Sequence, residues 1–135
     1  MEQENEKLTI TLTGRAPVRI TKEGWPVIAS SSDSWHDNQY ECQANRKKNW
    51  RITVRQHIDG ERTIVYAVYT YSSQYQGEDG ANIRGGEMFT ATEGDTAPIV
   101  SAIFRVAADM QERSGEEEFS RLAHECVADL PAVEV

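Results

Sequence analysis

Asn49 to Ser72 reads N-W-R-I-T-V-R-Q-H-I-D-G-E-R-T-I-V-Y-A-V-Y-T-Y-S. Two runs rich in β-branched and aromatic residues flank Asp59-Gly60, and Asp-Gly between such runs is the strongest short-range hairpin signal. A hairpin is therefore expected over 50–57 and 62–71. With a two-residue loop at Asp59-Gly60, Val54 faces Val65, Ile52 faces Ala67 and Trp50 faces Tyr69. These six residues share one side of the pleat and read as core. On the other side Arg55 faces Ile64, Thr53 faces Tyr66 and Arg51 faces Val68, with His57 and Arg62 paired at the turn end. Cross-strand neighbours of this kind lie ~5 Å apart at Cβ.

That second side gives the candidate binding residues: Arg51, Arg55, His57, Arg62 and Tyr66. Arginine beside tyrosine could stack a base or grip a phosphate. The competing reading is a face partly covered by a helix, with arginine stems lying over apolar neighbours. The ribonucleoprotein consensus is absent from the chain.

Outward from the hairpin, Lys7 to Thr13 alternates strictly, with Leu8, Ile10 and Leu12 on one side and threonines on the other, which predicts a half-buried strand. Val18 to Ile20 reads as a short extended piece after Gly14 and Pro17. Trp25, Val27 and Ile28 form a small apolar plug, and Thr21 could cap a short turn before Pro26. Ser30 to Ser34 reads as a polar loop. Tyr40, Cys42 and Ala44 alternate with polar residues, as a strand would, and Asn45 to Lys48 reads as a turn. Ser72 to Gly86, with four glycines, reads as a long loop. Gly86 to Thr92 could form a short last strand.

Two helices end the chain. Ile99, Val100, Ile103, Phe104, Ala107 and Met110 recur at helical spacing after Pro98. Ser114-Gly115-Glu116-Glu117 matches a capping box. Phe119, Leu122, Ala123, Cys126, Val127 and Leu130 make one apolar stripe, and Pro131 ends it. The expected architecture is α+β: an antiparallel sheet of about four strands, packed by two C-terminal helices. Residues 1–6 read as a disordered acidic tail and 7–135 as one domain, which suits 135 residues.

Net charge is −8, from 22 acidic and 14 basic residues, which globally opposes a phosphate backbone. Base is nonetheless local, at Arg46-Lys47-Lys48 and in the hairpin. No apolar run approaches the ~20 residues of a membrane span. The N-terminus lacks the apolar region of a signal peptide, so a cytoplasmic location is expected, with Cys42 and Cys126 as reduced thiols.

Motifs with chemistry are sparse. Cys42 with His36 or His57 as base would be a cysteine-dependent enzyme, but one thiol with scattered histidines is more often structural. His36, Cys42, His124 and Cys126 match no familiar zinc spacing. The glycines at 77, 80, 85 and 86 fit neither phosphate-binding fingerprint. Glu116 to Glu118 reads as an acidic first helical turn, with nucleic-acid mimicry as its functional alternative. No cofactor or metal is implied.

Leu12-Thr13-Gly14-Arg15-Ala16-Pro17-Val18, then Trp25-Pro26-Val27-Ile28 and Val54 to His57 through Tyr66, resemble short uncharacterised proteins of bacterial genomes and mobile elements. The resemblance carries no activity and no site residue. The expectation is a small non-enzymatic binding protein, such as a phage or mobile-element accessory or anti-defence factor that occludes a protein partner. A nucleic-acid-binding module using the hairpin face is the alternative. Oligomeric state is open, a homodimer included.

Overall fold

The structure, a computed structural model, describes residues 6–39, 44–73, 79–92 and 94–132, excepting the side chains of 37–39 and 44–45. Six strands precede two helices: β1 (Lys7–Leu12), β2 (Arg15–Thr21), β3 (Val27–Gln39), β4 (Ala44–Gln56), β5 (Arg62–Ser73), β6 (Ala81–Thr90), α1 (Ala97–Ser114) and α2 (Glu118–Ala128). The main sheet is an antiparallel meander of order β3-β4-β5-β6, and β1-β2 is a separate two-stranded sheet. This is the expected α+β class. Among the described residues no helix is long and apolar enough to cross a membrane.

The central hairpin has the register its sequence predicts. Trp50 pairs with Tyr69, Ile52 with Ala67, Val54 with Val65, and on the other side Thr53 with Tyr66. All six expected core residues are buried, none more than 4 % exposed. They pack under α1 and α2, against Ile103, Met110, Phe119 and Leu122. The turn is looser than two residues. Ladder pairing stops at Gln56 and Thr63, and 57–61 turn around Gly60 at φ 82°. The Asp59 carboxylate accepts the Glu61 and Arg62 amides, at 2.8 and 3.2 Å, and this local ring competes with a tighter loop.

Several expectations are corrected. Ser30 to Ser34 is not a loop but the middle of β3. Its inward residues are small, and the Ser31 hydroxyl satisfies itself on the Leu122 carbonyl of α2 at 2.7 Å. Asn45 to Lys48 is strand, not turn, so the hairpin runs on past Trp50. The strand expected at Tyr40 to Ala44 falls mostly on 40–43, outside the described residues. The loop expected through Gly86 gives way to β6, which begins at Ala81. Gly86 sits there because a Cβ would lie 2.7 Å from the Val65 carbonyl oxygen and 2.8 Å from Tyr66 Cβ. Ser114 does not cap α2. It is the last residue of α1, its hydroxyl donates to the Met110 carbonyl, and Gly115 turns the chain at φ 75°. Phe104 is 37 % exposed rather than core, its place in the stripe taken by Ala102 and Val106.

The β1-β2 pair decides what happens on the sheet's outer side. Ile10, Leu12 and Ile20 face inward with Trp25 onto Ile64 of β5, with Tyr66 and Met88 packed beside them. Thr13 ties the pair to β6: its amide donates to the Gly86 carbonyl at 2.9 Å, and its hydroxyl accepts the Gly86 amide. The face is partly covered, as the competing reading had it, but by a strand pair and not by the helix that reading named.

Candidate nucleic-acid interface on the outer sheet face

Strand pairing lays the outer face out as rows. Arg55, Ile64 and Met88 form one row and Thr53, Tyr66 and Gly86 the next. Both lie beneath β1-β2, where Ile64 is fully buried and Thr53 is 5 % exposed.

Four of the five candidate residues belong to this covered half and fasten the cover. Arg55 donates from Nε to the Tyr66 hydroxyl and from Nη1 to the Trp25 carbonyl, both at 2.9 Å. Tyr66 is half-buried, its ring against the β1-β2 cluster. The His57 ring meets Trp25 edge-on, centroids 4.9 Å apart. The Arg62 guanidinium lies 5.6 Å from the Trp25 ring and pairs with Asp59 at 2.9 Å. The Glu61 amide, then the Arg62 side chain and amide, hold the Asp59 carboxyl well below the usual carboxylate range.

Arg51 alone of the five lies on the open half. Three rows make up that surface. Ser32, Arg51, Val68 and Arg84 are successive cross-strand partners over all four strands. Ser34, Asn49, Thr70 and Asn82 form the second row, and His36, Lys47 and Ser72 the third. Every one of these side chains is exposed or half-exposed. Strands lie ~4.8 Å apart and the chain rises ~3.3 Å per residue. Arg51 and Arg84 are thus about 10 Å apart and Lys47 about 13 Å from Arg51.

The chemistry of the rows is uniform. Arg84 Nε donates to the Asn82 side chain at 3.0 Å, and the Asn49 amide reaches the Thr70 hydroxyl at 3.5 Å. No described position in the three rows is acidic, although the chain carries −8. Lys47, Arg51 and Arg84 form no ion pair with a described residue. A shallow depression of about 510 Å³ lies beside Arg51, lined by Ser32, Ser34 and Asn49 among others. Asp33 also borders it, but its carboxylate pairs with Arg121 of α2. The Ser34 amide, then Arg121, lowers its pKa and holds it ionised.

Sequence reasoning missed Lys47, Asn49, Asn82 and Arg84 because it ended the strands too early. The signal was in the string: Lys47, Asn49, Arg51, Thr53 and Arg55 alternate, so extending the hairpin past Trp50 places the first two beside Arg51.

The other candidate chemistry separates in space. Cys42 lies outside the described residues. Cys126 is fully buried in the core, and burial, with Asp129 second, pushes its thiol up to about 12, which suppresses thiolate. His124 is exposed on the opposite side of α2, its ring 5.0 Å from Phe104. Among the described residues no group of three or more His, Cys, Asp or Glu side chains could hold a metal ion. Glu116 serves the interior, accepting Lys48 Nζ at 2.9 Å and the Tyr69 hydroxyl at 3.1 Å. Burial, then this carboxylate, raises the Tyr69 pKa. Compared with protein-family models, curated proteins and solved structures, the chain shows no match.

Proposed function

We propose that this protein is a non-enzymatic binding module that docks an extended polyanion on the open half of its outer sheet face. The observation that carries the reading is the three rows themselves. They place Lys47, Arg51 and Arg84 on one surface with no acidic residue among the described positions of the rows, and with the neighbouring Asp33 carboxylate paired to Arg121, on a chain whose net charge is −8. Charges elsewhere are screened beyond ~10 Å at ordinary salt, so the local patch governs contact. The expected test uses immobilised heparin as a generic polyanion. Wild-type protein is retained at low salt and elutes as salt rises. The variant K47E/R51E/R84E flows through with an unchanged unfolding midpoint. Undiminished retention of that variant sinks the proposal.

Occlusion of a protein partner has a separate support at the far end of the sheet. Trp35 is 40 % exposed, with Lys48 Nζ 5.3 Å from its ring centroid and 5.7 Å from that of Tyr71. Tryptophan and tyrosine are interface hot-spot types. An accessory protein of a mobile element would use such a site. Here Trp35→Ala abolishes capture of a host protein while heparin retention stays intact, and capture that survives Trp35→Ala removes this second reading.

A further inference from the structure

Resting on the polyanion reading, we infer that the partner of the open face is single-stranded nucleic acid, held by its phosphodiester backbone with the bases unread. Three observations carry this. The first is side-chain type. Apart from Val68, the rows consist of Arg, Lys, His, Ser, Thr and Asn. Arg, Lys, Ser, Thr and Asn are types that contact phosphate oxygens and sugars. The second is the lack of a stacking platform. No described position in the three rows is aromatic except His36, and Tyr66 is committed to Arg55 under the cover. Base stacking supplies ~1–3 kcal/mol per base where it exists, so its absence leaves contact with the backbone.

The third observation is shape. Four strands at ~4.8 Å spacing put the outer strand axes about 14 Å apart, wider than the ~12 Å major groove before side chains are added. A duplex could meet such a face only along one ridge, whereas a single strand can lie across it from Lys47 to Arg84. The depression beside Arg51 gives one phosphate group room against Ser32, Ser34 and Asn49, and the Asp33 carboxylate that also lines it has its charge paired with Arg121. A folded acidic protein is the poorer fit. Stable protein interfaces use ~20–30 residues per side, well above what these three rows supply.

The test is fluorescence anisotropy of the full chain with labelled oligo(dT) and oligo(dA) of equal length, a duplex of that length, and a polyglutamate peptide of equal charge. Both single strands should bind within about twofold of each other. Three neutralised phosphates give a salt slope of about −2, so affinity falls roughly twentyfold between about 50 and 200 mM salt. Duplex and polyglutamate should each bind at least about tenfold more weakly. R51E/R84E should abolish binding, and R51A/R84A, with no new charge, should weaken it and flatten the slope by about 1.4. Polyglutamate or duplex binding as tightly as oligo(dT) overturns the single-strand assignment while leaving the polyanion reading intact. A strong preference between oligo(dT) and oligo(dA) overturns backbone-only recognition. Failure of every probe, together with loss of heparin retention in the wild type, removes both.

Discussion

The outer face of the main sheet has two halves built on the same four strands. Toward the Asp59-Gly60 turn it is apolar and covered: Ile64 and Met88 meet Ile10, Leu12 and Ile20, and Arg55 is tied to Tyr66 and Trp25. Beyond Thr53 it is polar and open, with Arg51, Asn49 and Lys47 alternating along β4. Arginine therefore has two roles here, four residues apart on one strand. Arg55 stabilises the fold by satisfying a hydroxyl and a carbonyl, whereas Arg51 has no such partner among the described residues. Residue type alone does not separate the roles; what lies above each row does.

This contrast predicts a graded set of effects. The largest belongs to the covered half. Ile64→Ala empties a fully buried site and should cost about 3 kcal/mol, read from urea unfolding. A loss below about 1 kcal/mol would mean that β1-β2 packs only loosely. Gly86→Ala should cost about 2 kcal/mol, because its Cβ overlaps the Val65 carbonyl and Tyr66. Tyr66→Phe removes the acceptor of the Arg55 Nε–H and should cost about 1.5 kcal/mol with heparin retention unchanged.

The pH response should come from the helix-packed side. The Cys126 thiol is pushed up to about 12 by burial, against about 8.5 in an unfolded chain. Its contribution is therefore fully present below pH ~8.5 and is lost as pH rises from there toward 12. Tyr69, also raised, adds a loss of the same sign at higher pH. Alkaline unfolding of Cys126→Ala should show a shallower decline in stability above pH ~8.5 than wild type. An identical slope would remove the thiol from the account. The smallest stability effect is on the open half, where Arg51→Ala should stay within about 0.5 kcal/mol of wild type.

The central hairpin was legible because its inner side is apolar from Trp50 to Val54 and from Val65 to Tyr69, so a one-residue slip would expose Trp50, Ile52 and Val54 together. The two helices were legible for the same reason at helical spacing. β3 was not, because its inward positions Ala29 and Ser31 are small, and Ser31 becomes a core residue only through the Leu122 carbonyl. β6 was hidden by Gly85 and Gly86, which are there for close neighbours and not for a turn: a Cβ at Gly86 would meet Val65 and Tyr66 of β5, and one at Gly85 the Arg113 side chain of α1 and Thr13. The β1 alternation was read correctly, yet no local pattern states which surface Ile10 and Leu12 will cover. That pairing is long-range, and it decided which hairpin arginines fasten the cover and which one faces solvent.

The most direct test of this division is a paired measurement of stability and heparin retention on Arg51→Glu and Arg55→Met. The division predicts a crossed result: Arg51→Glu loses retention at unchanged stability, and Arg55→Met loses about 2 kcal/mol of stability at unchanged retention. Retention lost in Arg55→Met and kept in Arg51→Glu would contradict it.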